Sequence, residues 1–131
     1  MIDVIALFPG VARLTGTEPW RPIRDHLVIG AIPMNEPTMT AMVMTGRPLT
    51  PGQKLTIRSR SLDCRVDIVG ARKPPIGGGI LLDLKVTPRG SFQGFLNAVL
   101  DVTLEGDRTS FEIFARVMPK DQIPPTPAAA R

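Results

Sequence analysis

The chain has 131 residues, 43% of them hydrophobic, which suits one domain with a single buried core. Its one cysteine excludes an intrachain disulfide, and one cysteine with one histidine argues against a metal site. Sixteen basic and twelve acidic residues leave a net charge of +4, which suits either a solvated surface or an anionic partner.

The first ten residues, MIDVIALFPG, contain a short apolar run that ends at Pro9 and Gly10. The run has no basic flank and is too short for a signal peptide or a membrane helix. We therefore predict a strand over residues 2–8, synthesis in the cytoplasm and no membrane association.

Fourteen prolines and twelve glycines interrupt the chain every ten to fifteen residues or so, which leaves no room for long helices. Between these breaks the apolar residues alternate with polar ones, the pattern of half-buried strands. The clearest alternation is in ILLDLKVT, and the same pattern recurs in FEIFARVM, CRVDI and KLTIRS. The residues predicted to face inward are Leu55, Ile57, Cys64, Val66, Ile68, Ile80, Leu82, Leu84, Val86, Phe111, Ile113, Ala115 and Val117.

Seven segments are predicted as strands, and a fold of many short strands with Gly and Pro turns is typical of all-β domains. We expect an antiparallel β-sandwich or small β-barrel of six or seven strands. The predicted strands are residues 2–8, 27–32, 38–45, 54–69, 80–87, 96–105 and 109–118. The inward parity changes within 54–69, which requires a bend near Ser61.

Residues 91–100 satisfy two templates. Helical spacing of apolar residues follows Ser91, a suitable N-cap, while a strand pattern runs through the same segment. Val99, Val102 and Thr103 are β-branched and favour the strand, with a single helical turn before it. The following EGDR sequence then predicts a hairpin into the last strand.

The two ends of the chain differ from this β domain, which we place at residues 1–118. Residues 9–26 form a predicted irregular arm around Trp20, and residues 119–131 form an extended Pro- and Ala-rich tail. Both have too few apolar residues to offset the entropy of ordering them by their own packing. We hypothesise that they lie against neighbouring subunits; the contact residues would be Trp20, Ile123, Pro124 and Pro125.

A methionine-rich strand, PMNEPTMTAMVMTG, has apolar residues on both faces. Met42 and Met44 share one face, and Met39 lies on the other. Two interpretations remain open: a central strand buried on both sides, or an adaptable surface covered by a partner through Met42 and Met44.

Residues 54–89 hold eight basic and three acidic residues, so this segment carries +5. Alternation along a strand places cations on one face, at a spacing useful for phosphates. The candidate nucleic-acid or anion ligands are Arg58, Arg60, Arg65, Arg72 and Lys73. Against this, the chain has no tyrosine, and we interpret Phe92, Phe95 and Phe111 as core, which leaves little to stack on bases. A solvated face and a flexible hairpin loop explain the same residues.

No catalytic residue or cofactor site is predicted, because the serines lack a candidate base other than His26 and the carboxylates alternate outward. Our leading hypothesis is a structural subunit of a homo-oligomer or larger assembly, such as a bacteriophage capsid-stabilising or tail protein. The alternative is a small β-barrel that binds nucleic acid through residues 54–89. An enzyme subunit whose site is completed by another chain also remains open.

Overall fold

The computed structural model describes residues 2–3, 19–46, 54–75, 78–104 and 106–123. Within these ranges the regular structure is β-strand, apart from a 3-10 turn at Lys120–Gln122. None of the described residues belongs to a helix long and apolar enough to cross a membrane. The strands are β1 Ile2–Asp3, β2 Arg21–Pro22, β3 His26–Pro33, β4 Thr38–Thr45, β5 Lys54–Ser59, β6 Cys64–Arg72, β7 Ile80–Pro88, β8 Gly94–Leu104 and β9 Asp107–Met118.

The strands form two sheets. Sheet I has the order β1-β5-β8-β9-β3, and sheet II has the order β2-β4-β7-β6. Each pairing of the described strands is antiparallel except that of β3 with β9, which is parallel. If β2 and β4 to β9 are lettered A to G, sheet II reads A-B-E-D, and sheet I reads C-F-G with β1 and β3 at its edges. The lettered strands follow the order of an immunoglobulin-type sandwich. The prediction of an all-β sandwich is confirmed, while the barrel alternative and the count of six or seven strands are wrong.

The core lies between the inner faces of the two sheets. In β7 the side chains of Ile80, Leu82, Leu84 and Val86 are fully buried, and the residues between them are half-exposed. Strands β8 and β9 alternate in the same way, so period-two patterning directs one face of each central strand into the sandwich. The inward faces predicted from sequence are confirmed for these strands.

The predicted single strand at 54–69 is instead two strands in different sheets. Arg60 still belongs to sheet I, because its N–H donates to the Val99 carbonyl at 2.9 Å. The chain then turns at Ser61, whose hydroxyl accepts a hydrogen bond from the Asp63 N–H at 3.0 Å. Cys64 begins β6 in sheet II. The predicted change of inward parity is thus a crossing from one sheet to the other.

Residues 94–104 are a strand, as the β-branched residues predicted. Gly94, with φ +124°, begins β8, and a hydrogen-bonded turn from the Phe92 N–H to the Arg89 carbonyl at 2.9 Å precedes it. The predicted hairpin into β9 is also present, with Gly106 at φ +83° in its loop. Positive φ is cheap only for glycine, which explains both positions.

Of the candidate partner-contact residues, some lie in the core, one is half-buried and two lie outside the described residues. Trp20, Met42 and Met44 lie in the core, with exposed fractions of 2%, 3% and 0%, so they pack against their own domain and a partner would have to open it to reach them. Residues 19–26 of the predicted arm therefore join the sandwich, partly because the backbone N–H of Trp20 donates to an Asp107 carboxylate oxygen at 2.9 Å. Ile123 is half-buried. Pro124 and Pro125, like residues 9–18 of the arm, lie outside the described residues.

Candidate interaction surface on sheet I

The outer face of sheet I is built from the outward-pointing residues of β5, β8, β9 and β3. The register places Arg58, Asp101 and Ser110 in one row across β5, β8 and β9. Two rows further along, Asn97, Phe114 and Val28 share a row across β8, β9 and β3. The face therefore has a polar end near Arg58 and an apolar end near Phe114.

The polar end holds an arginine cluster formed by Arg58, Arg60 and Arg108 around Asp101. Arg60 makes a bidentate ion pair with Asp101, with Nε–Oδ2 at 2.8 Å and Nη2–Oδ1 at 2.7 Å. The hydrogen bonds from Arg60 lower the pKa of the Asp101 carboxyl, burial raises it in part, and the charges of Arg60 and then Arg58 lower it further. Asp101 is therefore a fixed negative charge at neutral pH.

Neither Arg58 nor Arg108 forms an ion pair or hydrogen bond with another described residue. Both are exposed, and hydroxyl side chains lie between them in a shallow, open depression. The outward-pointing hydroxyl residues here are Thr56, Thr103 and Ser110. Three arginines against one carboxylate leave a local charge of about +2 here.

The apolar end holds an aromatic patch formed by Val28, Phe95 and Phe114. Val28 is 69% exposed and Phe95 is 82% exposed, and the half-buried Phe114 lies between them on β9. The Arg116 guanidinium lies 5.6 Å from the centroid of the Phe95 ring, a cation–π distance. The His26 ring meets Phe114 edge-on with centroids 6.3 Å apart. Three apolar side chains on adjacent strands thus share this end of the face, with Arg116 and His26 at their border.

The junction between cluster and patch contains a histidine beside a carboxylate. His26 Nδ1 and Asp25 Oδ1 are 2.7 Å apart, and this hydrogen bond lowers the pKa of Asp25. The Asp25 carbonyl also accepts the Glu112 N–H at 2.9 Å, which anchors the start of β3 on β9. Ser110 lines the same depression as His26. No hydrogen bond joins this serine to His26 among the described contacts, so no nucleophile–base pair is assembled here.

The basic residues predicted from sequence are divided between the two sheets. Arg58 and Arg60 lie on sheet I, whereas Arg65 and Arg72 lie on β6 in sheet II, so the predicted stripe of Arg58, Arg60 and Arg65 is not one surface. Arg65 Nε pairs with Asp67 Oδ2 at 3.1 Å, and Arg72 Nε pairs with Asp83 Oδ2 at 2.9 Å. Lys73 is exposed just after β6. Local ion pairs thus offset much of the +5 of the segment.

Sequence reasoning missed three residues of this face. Arg108 lies beyond the predicted basic segment, and Phe114 was not considered as a surface residue. Phe95 was interpreted as core, which is wrong because its exposed fraction is 82%. The signal was present: alternation that buries Leu96 and Ile113 places Phe95 and Phe114 on the opposite, outer side.

The described residues contain no group of three His, Cys, Asp or Glu side chains placed to hold a metal ion. Cys64 is buried, and burial raises the pKa of its thiol, with the Ser59 hydroxyl 3.7 Å from its Sγ acting in the opposite direction. A buried thiol of raised pKa is a poor nucleophile. Its position is that of a small core residue.

No family model and no curated protein matches the chain. Among solved structures, it resembles part of a Bacteroides ovatus GH5 xyloglucanase in complex with a XXXG heptasaccharide (TM-score 0.47, 13% identity, 86% of this chain and 22% of that one). It also resembles part of an endo-fucoidan hydrolase, MfFcnA4, of glycoside hydrolase family 107 (TM-score 0.47, 17% identity, 80% of this chain and 14% of that one). A third is the M1 domain from titin (TM-score 0.35, 9% identity, 86% of this chain and 99% of that one). The chain spans less than a quarter of each hydrolase, and none of these similarities bears on its activity.

Proposed function

We propose that the protein is a non-catalytic subunit of a multi-chain assembly and that the aromatic patch is its docking surface. The observation that supports this is the placement of two exposed apolar side chains, Val28 and Phe95, on either side of Phe114 on one sheet face. A contiguous exposed apolar surface bordered by charged groups is typical of protein–protein interfaces.

The occupant we propose is a second copy of the same chain. On β9 the outward residues around the patch run Glu112, Phe114, Arg116, an acid and a base on either side of an aromatic ring. If two copies face each other with their β9 strands antiparallel about a two-fold axis at Phe114, each Glu112 meets the partner copy's arginine and the aromatic rings meet at the centre. A two-fold interface requires such self-complementarity.

The test is the oligomeric state of a matched set of variants. We expect wild-type protein to dimerise in a concentration series followed by light scattering or sedimentation. The double variant Val28→Ser, Phe95→Ser should shift that equilibrium toward monomer by about tenfold or more, because two exposed apolar contacts are removed. Leu62→Ser is the control, since Leu62 is 92% exposed but lies in the connection between β5 and β6.

Two outcomes would contradict the proposal. One is a wild-type protein that stays monomeric at every concentration. The other is an equal shift from the Leu62→Ser control, which would mean that any exposed apolar residue drives association. Because Val28 and Phe95 are both exposed, the double variant should keep the unfolding midpoint of the wild type within a few degrees.

The more specific form of the proposal is a bacteriophage virion component, such as a capsid-stabilising or tail protein, with terminal arms on neighbouring subunits. Its support is the compact β domain combined with a docking face and no assembled reaction centre among the described residues. The decisive observation is genomic context, because virion proteins are encoded in runs. A gene surrounded only by metabolic enzymes would count against it.

A second candidate function is binding of single-stranded nucleic acid on the same face. It is favoured by the outward positions of Phe95 and Phe114 on the same face as the arginine cluster, because such proteins combine aromatic platforms with cations. In a gel-shift series, Arg58→Ala should weaken binding uniformly across sequences, and Arg65→Ala on sheet II should not. Absence of any shift at low salt, or equal effects of the two variants, would rule it out.

A further inference from the structure

The arginine cluster has an arrangement that the proposed assembly does not use. Arg58 lies on β5 and Arg108 on β9, the two strands on either side of β8, and Thr103 of β8 is the direct neighbour of Arg108. Neighbouring strands are ~4.8 Å apart and alternate residues ~6.8 Å apart, so the two arginine Cα atoms are ~12 Å from each other. Two extended arginine side chains span that distance and can meet above Thr103.

The charges at this position are unbalanced. The Nε and Nη2 groups of Arg60 donate to the Asp101 carboxylate at 2.8 and 2.7 Å. These two donors are therefore already occupied by a carboxylate of the same chain. Arg58 and Arg108 have no ion-pair or hydrogen-bond partner among the described residues. The next outward carboxylate on β9 is Glu112, four residues or ~14 Å from Arg108 along the strand. Asp101 is nearer, two residues or ~7 Å from Thr103 on the same side of β8, but both of its carboxylate oxygens accept hydrogen bonds from Arg60. An anion above Thr103 would therefore meet two unpaired guanidinium groups.

We infer that the arginine cluster is a binding site for a divalent oxyanion, a phosphate or sulfate group, held by Arg58 and Arg108 with the hydroxyls of Thr56 and Thr103. Guanidinium groups present planar pairs of N–H donors that match such oxygens, and charge-assisted hydrogen bonds are the strong ones. Arg60 offsets the charge of Asp101, and the two unpaired guanidinium groups attract a divalent anion about twice as strongly as a monovalent one. This site goes beyond the assembly proposed above and does not depend on it.

The experiment is a ¹⁵N NMR titration of the full chain with inorganic phosphate and, separately, inorganic sulfate. Sodium chloride keeps the ionic strength constant, so that screening does not change. We expect saturable shifts confined to the amides of Thr56, Thr103 and Arg108 and to the side-chain Nε–H groups of Arg58 and Arg108. Chloride alone should not produce them.

Matched variants identify the ligands. The double variant Arg58→Gln, Arg108→Gln should weaken phosphate binding by at least about tenfold, because two charge-assisted hydrogen bonds are lost. The control Arg65→Gln, Arg72→Gln carries the same net charge, lies on sheet II and should bind as the wild type does. Replacing Arg58 and Arg108 by lysine keeps the charge but removes the planar donors, and we expect intermediate affinity.

The inference would be overturned by shifts spread evenly over all the exposed arginines, or by equal losses in the two glutamine variants. The inference would also be overturned if neither phosphate nor sulfate produced a saturable shift. Because the substituted arginines are exposed, each variant should keep the dispersed amide spectrum of the folded protein. A variant that keeps this spectrum but no longer responds to phosphate has therefore lost the binding site and not the fold. Titration of the Val28→Ser, Phe95→Ser variant should give the same affinity, which separates this site from the assembly.

Discussion

Gly79, just before β7, is the position where one added methyl group has the clearest calculable effect. Its φ is +105°, and a Cβ built there would lie against the backbone carbonyl oxygen of Met44, closer than real Cβ contacts allow. The backbone of Met44 is fixed by the pairing of β4 with β7, in which Met44 is opposite Ile80. The carbonyl therefore cannot move without disturbing that pairing.

Gly79→Ala should destabilise the fold by about 3 kcal/mol. Positive φ costs an alanine ~1–2 kcal/mol, and overpacking against a fixed neighbour adds ~1–3 kcal/mol. For a domain of this size, the sum corresponds to a melting temperature lower by roughly 10 °C. Gly30→Ala is the matched control, because Gly30 has a φ of +93° but nothing within 4 Å of its added Cβ. It should cost only the backbone part, ~1–2 kcal/mol.

The assay is equilibrium unfolding in urea followed by the fluorescence of Trp20, the only tryptophan, which is buried in the core. Both substitutions lower the entropy of the unfolded chain by a similar amount, so the difference between them isolates the contact with Met44. Equal destabilisation by the two variants would refute the reasoning, because it would mean that the carbonyl moves aside without cost.

The remaining predictions concern the core, the thiol and the arginine cluster. In urea unfolding, Met42→Ala should cost about 2–5 kcal/mol, whereas Met39→Ala should cost less than about 0.5 kcal/mol, because Met42 is 3% exposed and Met39 is 57% exposed. The buried Cys64 thiol should react with a disulfide reagent near pH 8 only as fast as the fold opens around it, and denaturant should accelerate the reaction. Fast labelling of the native protein would contradict the burial of the thiol. Asp101 has a lowered pKa in the folded state, so its contribution to stability is present above its unfolded pKa of ~3.9 and is lost as pH falls through the folded value. NMR titration of Asp101 should show its pKa rising toward the ordinary value in Arg60→Gln, and an unchanged pKa would mean that the ion pair does not form in solution.

Strand positions and inward faces could be predicted where alternation was uninterrupted. The segment 80–87 was placed within one residue of β7, because its period-two pattern is a local property of the chain. The ambiguity at 91–100 was also resolved correctly, since β-branched side chains favour extended backbone.

The surface assignments were less accurate, because they depend on which sheet a strand joins. The crossing at Ser61 separates Arg58 from Arg65, although the two lie only seven residues apart. Likewise, apolar character alone did not distinguish the buried Met42 from the exposed Phe95. Each is explained only by the opposite sheet, which covers the inner face of the strand and leaves its outer face open.

By itself, the sequence determined an all-β domain with short strands and specified which side of the central strands is apolar, because alternation and Gly or Pro breaks act within a few residues. Tertiary structure decided the sheet to which each strand belongs, the parallel pairing of β3 with β9 and the burial of Trp20. It also brought the arginine cluster together from β5 and β9, which are far apart in the chain. Pairing between strands is non-local, and a period-two pattern is satisfied equally in either sheet and beside any partner strand, provided that the opposite sheet covers the apolar side.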